Sequence, residues 1–183
     1  MSKIHLPDPV KLISSIFSPE KDILAETIRR LFKEFGDTDY ISKLIPFDYT
    51  DYYREEMGGF LVRRFISFDT LIDPGDLSRV KLFTNSIEED LAREGKRRVN
   101  IDPGYISEAH LILATGKKYT HRPYIGDGIY ADLTLIYRDR TFQPLEWTYP
   151  GYAEEGVIDM LSRMRKKYLV QLAEIKDAGR RMR

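Results

Sequence analysis

The chain contains no cysteine, which excludes disulfide bonds, thiolate metal sites and a cysteine nucleophile. Histidine is almost as scarce, because the whole sequence holds three: His5, His110 and His121. A metal site built from histidine alone would therefore need the N-terminal segment to take part. These shortages leave any metal or cofactor unknown at the level of the sequence.

Long apolar runs are lacking as well. No run approaches the roughly 18 residues that a membrane-spanning helix needs. The first residues also lack the apolar stretch of a secretory signal. We therefore expect a cytoplasmic protein that does not associate with a membrane.

The third absence is an excess of charge of either sign, because 29 Lys and Arg residues balance 29 Asp and Glu residues. Proteins that bind nucleic acids in a general way usually carry a clear basic excess. Nucleic acid is therefore a disfavoured partner, although a local basic patch stays open. A homo-oligomer also stays open.

What the sequence does contain is a series of well-marked secondary-structure elements. Ser18 and Pro19 are typical of the start of a helix, and Gly36 is typical of its end. Periodicity and turn residues predict the following elements: strands at 10–17, 39–47, 60–72, 97–101, 110–115, 128–139 and 141–147, and helices at 19–35, 76–94 and 151–178.

The order of the first six elements is strand, helix, strand, strand, helix, strand. This βαββαβ order is typical of a ferredoxin-like sheet with both helices on one face. We therefore predict a single α+β domain over residues 1–183, with a ferredoxin-like core, additional antiparallel strands and a long C-terminal helix. Residues 1–9 are expected to form an N-terminal tail, and residues 179–183 a frayed C-terminal tail.

Polar residues at the end of the predicted strand 97–101 allow two interpretations. Alternation turns Val99 and Ile101 towards the core, so Asn100 and Asp102 face the other side. Asn and Asp before Pro-Gly commonly start a turn, and we favour this interpretation. The alternative is that Asn100 and Asp102 point into a pocket, with Tyr105 beside it.

The predicted strand 128–139 supplies further candidates for such a pocket. Tyr130, Asp132 and Thr134 share one face, because apolar residues occupy the alternate positions. Asp102 and Asp132 together would be able to hold a divalent cation or share a proton. We therefore consider Asp102 and Asp132 as candidate catalytic residues, and Asn100, Tyr105, Tyr130 and Thr134 as candidate ligand-binding residues.

Basic residues concentrate in the segment between the predicted strands 110–115 and 128–139. This segment is not a phosphate-binding P-loop, because the glycine spacing is wrong and no helix follows it. Arg122 would be able to clamp a carboxylate or phosphate, and His121 to move a proton. We take His121 as a candidate catalytic residue, and Lys118, Arg122 and Tyr124 as candidate ligand-binding residues. A solvated basic loop is an equally good interpretation.

Three other features have ordinary structural interpretations. The segment 48–56 is rich in Tyr and acidic residues, and its tyrosines are expected to cover the edge of the core. Thr84, Asn85 and Glu88 are interpreted as the surface of a helix. Trp147 is interpreted as a core residue.

Several motifs together give the chain a resemblance to a known family. They include NIDPGY at 100–105, HRPYIGDGIYADLTL at 121–135 and WTYPGY at 147–152. With these motifs the chain resembles a family of bacterial and archaeal proteins of about this length, catalogued as a domain of unknown function. The resemblance implies no activity, cofactor or catalytic residue. In the family pattern the last motif more often ends Pro-Asp-Tyr, and Gly151 stands here in the place of that Asp.

Three functions follow as hypotheses. The favoured one is a protein with a pocket for a small anionic ligand, such as a nucleotide or phosphoester, and with or without catalysis. It requires that residues 100–105, 120–124 and 130–134 converge. An RNA- or protein-binding module would instead show an open sheet face with exposed Tyr and Arg. An assembly protein would show an exposed Leu and Met stripe on its last helix.

Overall fold

The structure is a computed structural model that describes residues 3–48 and 54–181, with side chains described for 3–48 and 56–181. The described strands are β1 (Val10–Ser18), β2 (Thr38–Ile41), β3 (Ile45–Phe47), β4 (Leu61–Ile72), β5 (Asn100–Ile106), β6 (His110–Thr115), β7 (Tyr124–Gly126), β8 (Ile129–Arg138) and β9 (Thr141–Pro144). The described helices are α1 (Lys21–Phe35), α2 (Arg54–Met57), α3 (Leu77–Leu91), α4 (Pro150–Ala153) and α5 (Glu155–Arg181).

The nine strands form one sheet, and each of their pairings is antiparallel. The strand order is β2-β4-β1-β5-β6-β8-β7, with β3 beside β4 and β9 beside β8. Because β4 is antiparallel to both of its neighbours, β1 and β2 run in the same direction on either side of it. The α+β class with a long C-terminal helix is thereby confirmed, while the ferredoxin-like comparison stays a prediction.

Helices cover both faces of the central strands. β1 is buried along its whole length because α1 and α3 pack on one face and α5 packs on the other. The core below α1 and α3 contains Leu12, Ile16, Leu24, Leu31, Ile66, Phe68, Val80, Ile87 and Ile101. The core below α5 contains Ile13, Phe65, Ile106, Leu135, Phe142, Met160, Leu161, Met164, Tyr168 and Leu172.

α5 is the longest element, and its apolar stripe lies on the sheet. The residues buried along it recur at three- and four-residue spacing, as a helix with one apolar face requires. The helix continues to Arg181, through the first residues of the segment expected to be frayed. Within residues 3–48 and 54–181, no helix combines the length and the apolar content needed to cross a bilayer.

Several predicted strands have different limits in the structure, among them those predicted at 39–47 and 97–101. The strand predicted at 39–47 is divided into β2 and β3 at Ser42, where the Phe65 N–H of β4 donates to the Ser42 hydroxyl oxygen instead of a backbone carbonyl. The turn predicted at Pro103-Gly104 is wrong. β5 continues through both residues to Ile106, and Gly104 pairs with β1 on one side and β6 on the other.

Candidate functional site

The candidate site begins at a split in the sheet between β5 and β6. These strands pair only where Gly104, Tyr105 and Ile106 meet residues 111–113. On the N-terminal side of Gly104 lies Pro103, which has no N–H to continue the ladder. The first half of β5 is therefore paired with β1 alone, and a gap opens between β5 and the end of β6.

Gly104 marks the point where the two strands come closest. A Cβ atom at this position would lie 2.3 Å from the Ile112 carbonyl oxygen and 2.7 Å from Leu113 Cδ2. Its backbone does not lie in the left-handed region, so glycine is required here for space rather than for conformation. The approach at Gly104 fixes the position from which β6 diverges.

α3 closes the floor of the gap and satisfies the open edge of β5. Lys81 Nζ donates to the Ile101 carbonyl at 2.8 Å, and the Ile101 N–H donates to Glu88 Oε1 at 2.6 Å. Both side chains are more than nine-tenths buried. Burial raises the pKa of Glu88, and the nearby Lys81 opposes this rise. The two side chains thus replace the neighbouring strand that β5 lacks here.

Above this floor lies a cavity of about 410 Å³. Its walls combine the sheet, α3, the segment after β6 and the chain around α4. Five of the lining side chains are cationic and three are acidic. The lining residues are Phe17, Phe47, Arg63, Lys81, Asn85, Glu88, Arg97, Asn100, Asp102, Leu113, Ala114, Thr115, Gly116, Lys117, Arg122, Asp132, Tyr149 and Tyr152.

Asn100 lies against the cavity with its amide orientation fixed by Arg97. Arg97 Nη1 donates to Asn100 Oδ1 at 3.0 Å, while the same guanidinium grips Glu56 through bonds of 2.7 and 2.6 Å. The Asn100 Nδ2 atom is therefore the end directed away from Arg97. Although Asn100 is 4% exposed, Nδ2 has no hydrogen-bond partner among the described residues.

A second polar group surrounds Asp132 on the opposite wall. Arg122 Nε donates to Asp132 Oδ2 at 2.8 Å, and Arg122 Nη1 donates to the Lys117 carbonyl at 3.1 Å. His121 Nε2 lies 3.6 Å from the same Asp132 oxygen. The His121 ring stacks on Trp147, with centroids 4.7 Å apart. Asp132 thus positions Arg122 at the cavity, with His121 behind it.

The third wall is an arginine enclosed by aromatic rings. Arg63 is 1% exposed, and its guanidinium carbon lies 4.4 Å from the ring centre of Phe65 and 5.6 Å from that of Tyr152. Arg63 Nη2 donates to the Gly151 carbonyl at 2.8 Å. Burial raises the pKa of Tyr152, and the nearby Asp102 carboxylate adds to the rise. This wall brings a buried positive charge and flat apolar surface to the same cavity.

The structure brings together four of the ten candidate residues. Asn100, Asp102, Arg122 and Asp132 line the cavity. His121 contacts Asp132 without being part of the lining.

The other five candidates lie elsewhere. Tyr105 packs with Leu77 and Ala114 on the α3 side of the sheet, and burial raises the pKa of its hydroxyl. Lys118 is exposed, and Tyr124 is an exposed residue whose ring contacts that of Tyr130. Thr134 is buried, with its hydroxyl on the Asp132 carbonyl.

A bulge explains the position of Thr134. Leu111 pairs with Leu135 and Ile112 pairs with Leu133, so Thr134 is an extra residue in β8. The extra residue reverses the facing of the side chains on either side of it. The predicted alternation from Tyr130 through Thr134 is therefore wrong beyond Asp132.

Sequence reasoning missed several lining residues, above all Lys81, Glu88 and Arg63. The interpretation of Thr84, Asn85 and Glu88 as helix surface is wrong, since Asn85 and Glu88 line the cavity, and Thr84 and Glu88 are buried. The available signal was a charge within an apolar pattern: Lys81 and Glu88 directly follow the buried Val80 and Ile87. Arg63 likewise stands between Leu61 and Phe65, on the buried parity of β4.

Two further interpretations concern Trp147 and the Tyr-rich segment 48–56. Trp147 is 41% exposed and donates to the Leu133 carbonyl, so it is not a core residue. Most of the Tyr-rich segment lies at 49–53, outside the described residues. Within the part of the chain that is described, no group of three or more His, Asp or Glu side chains is arranged to hold a metal ion.

No curated protein and no solved structure matches the chain. A family model does match it, over residues 8–168, which include every lining residue of the cavity. The resemblance carried by the motifs around residues 100–105, 121–135 and 147–152 is thereby confirmed. The chain belongs to the family described as Domain of unknown function (DUF4416).

Proposed function

We propose that the protein binds a small anionic ligand, of the nucleotide or phosphoester class, in the cavity between β5 and β6. The observation that carries this proposal is the Asn100 Nδ2 donor, which is buried at the cavity without a partner among the described residues. An unsatisfied buried donor costs about 1–3 kcal/mol. A ligand oxygen would remove that cost.

The charges around the cavity support an anion. The two hydrogen bonds of Arg122 use Nε and Nη1, which leaves Nη2 without a hydrogen bond to the described residues. Lys81 uses one of its N–H groups on the Ile101 carbonyl. Such preorganised cationic donors suit a phosphate or carboxylate.

The size and shape of the cavity support a small molecule. A volume of about 410 Å³ lies in the range of ligand pockets, which are usually about 300–1,000 Å³. Helices cover both faces of the central sheet, and the Leu and Met stripe of α5 is buried. The pocket is therefore better supported than the open sheet face of an RNA-binding module or the exposed Leu and Met stripe of an assembly protein. A cytoplasmic location and the oligomeric state stay predictions.

The test is a thermal-shift and titration series with nucleotides and phosphoesters, each with and without Mg²⁺. A ligand present at 100 times its Kd should stabilise the protein by about 2.7 kcal/mol. Asn100→Asp preserves the shape of the side chain and its contact with Arg97 but replaces the donor with a negative charge. It should weaken any hit at least tenfold.

A matched pair of lysines provides the control. Lys117 lines the cavity, whereas its exposed neighbour Lys118 does not. Lys117→Ala should weaken binding, and Lys118→Ala should leave the Kd unchanged. The proposal fails if no probe stabilises the wild-type protein, or if Asn100→Asp binds every hit as tightly as the wild type does.

A further inference from the structure

Asp102 is a carboxylate without a partner among the described residues. It lies half-buried in the lining of the cavity and has no hydrogen bond or ion pair with any described residue. Three of the five cations that line the cavity are held by other acceptors. Arg122 is held by Asp132, Arg97 by Glu56 and Lys81 by the Ile101 carbonyl.

Asp102 acts electrostatically on two other groups of the cavity. Its charge acts on the buried Glu88, whose carboxylate lies on the floor of the same cavity. Its charge also acts on the buried hydroxyl of Tyr152. A carboxylate that is partly removed from water and accepts no hydrogen bond from the described residues is stabilised by a positively charged donor.

The spacing of Asp102 from Asn100 defines what a ligand would present. The two residues are separated by one position on β5, so their side chains leave the same face of the strand about 6–7 Å apart. Asn100 offers a hydrogen-bond donor and Asp102 an acceptor. A ligand that satisfies both needs an oxygen at one end and an N–H group a few bonds away.

We infer that the ligand carries an ammonium or amino group beside its anionic group, and that Asp102 accepts the hydrogen bond of that group. This inference rests on the proposed function, because it concerns the ligand of the same cavity. The class of ligand is thus narrowed from anions in general to small amino-phosphates and related zwitterions. A divalent cation bridging Asp102 to a phosphate is the competing occupant, and it is an outcome of the test.

The test compares two probes that differ only in the amino group, O-phosphoethanolamine and ethyl phosphate, titrated into the full chain in the presence of EDTA. The wild-type protein should bind O-phosphoethanolamine at least tenfold more tightly. Asp102→Asn keeps the side-chain shape and should abolish that preference while the Kd for ethyl phosphate does not increase. Asp139→Asn removes the same charge from the exposed β8–β9 turn and should preserve the preference.

Each other result overturns a defined part of the reasoning. Equal binding of the two probes, or a preference that survives Asp102→Asn, overturns the inference but leaves the anion site standing. The titrations are repeated with Mg²⁺ in place of EDTA. Tight binding of ethyl phosphate that occurs only with Mg²⁺ and is lost in Asp102→Asn assigns Asp102 to a cation instead. If the folded wild-type protein binds neither probe at millimolar concentration, the inference is rejected, and the anion site is then decided by the nucleotide and phosphoester series alone.

Discussion

Gly104 shows how one missing side chain sets the geometry of the candidate site. Because the Ile112 carbonyl would lie 2.3 Å from a Cβ atom, no other residue fits without moving β6. The movement would affect Leu113 and Ala114, which line the cavity. The size of the cavity therefore depends on a residue that is not part of its lining.

We expect Gly104→Ala to destabilise the protein by about 1–3 kcal/mol, because the new methyl group overpacks the β5–β6 contact. The measurement is the free energy of unfolding from urea denaturation. Gly156→Ala is the control, since a Cβ atom at that position of α5 meets nothing within 4 Å. Equal stability of Gly104→Ala and the wild type would contradict the close approach.

At the same scale, alternation along β5 was sufficient to place Asn100 and Asp102 on the face away from Ile101. It was not sufficient for Tyr105, because a strand that continues past Pro103 turns position 105 to the face opposite Asp102. Pro-Gly is a common turn signal, and the local sequence contains nothing that reports the distant partner strand. Tertiary pairing with β1 overrides the turn propensity here.

At the scale of elements, the split between β5 and β6 depends on α3. Two side chains of this helix replace the strand that would otherwise pair with Ile101. Since Lys81 and Glu88 are seven residues apart, they lie on the same side of α3. A helix that packs beside a strand edge can therefore leave a cavity open without leaving backbone groups unsatisfied.

We expect Glu88→Leu to lower the free energy of unfolding by about 1–3 kcal/mol, because the buried Ile101 N–H loses its acceptor. Glu88→Gln retains an acceptor oxygen and should be less destabilising. Burial raises the pKa of Glu88, so its contribution is greatest below the unfolded-state pKa and is lost as pH rises through the folded-state pKa. Unfolding measured from pH 4 to 7 should show a larger loss of stability with rising pH in the wild type than in Glu88→Gln.

The sequence predicted the order of the elements well, because amphipathic helices and turn residues are local signals. The spacing in α1 and α5 is long and regular, and both helices occur where it indicates. The bulge at Thr134 could not be predicted, since one extra residue in β8 is defined only by its pairing with β6. For the same reason the sequence could not show that Arg63 and Tyr152 meet.

At the scale of the whole molecule, a buried ionic cluster joins the sheet to α5. Lys11 is fully buried on β1, and its Nζ lies 2.5 Å from Asp39 Oδ2 and 2.6 Å from Gln171 Oε1. Lys167 of α5 adds a second cation, 3.2 Å from Asp39. The cluster thus holds together β1, β2 and α5, although α5 is far from both strands in the chain.

We expect Asp39→Asn to destabilise the protein by about 3 kcal/mol, because it leaves the Lys11 charge buried without its carboxylate. Burial raises the pKa of Asp39, but hydrogen bonds from Lys11 and Ser67 outweigh it, and the net pKa is below its usual value. Asp39 therefore stabilises the fold above its unfolded-state pKa, and this contribution is lost as pH falls through the folded-state pKa.

Denaturation from pH 2 to 7 measures this effect as a shallower acid dependence in Asp39→Asn than in the wild type. The double variant Lys11→Met/Asp39→Leu should be less destabilised than Asp39→Asn, because no uncompensated charge remains. A loss under about 0.5 kcal/mol in Asp39→Asn, comparable with an ordinary surface substitution, would contradict the importance of the cluster.

The position of α5 in the chain has a consequence for biosynthesis. Every strand of the described sheet is translated before residues 155–181 leave the ribosome, yet α5 is the element that covers Ile13, Phe65 and Ile106. Translation proceeds at about 5–20 residues per second, so the nascent sheet exposes this apolar face for seconds. Chaperones that recognise apolar segments would have their best opportunity during that interval, which ends when the helix docks.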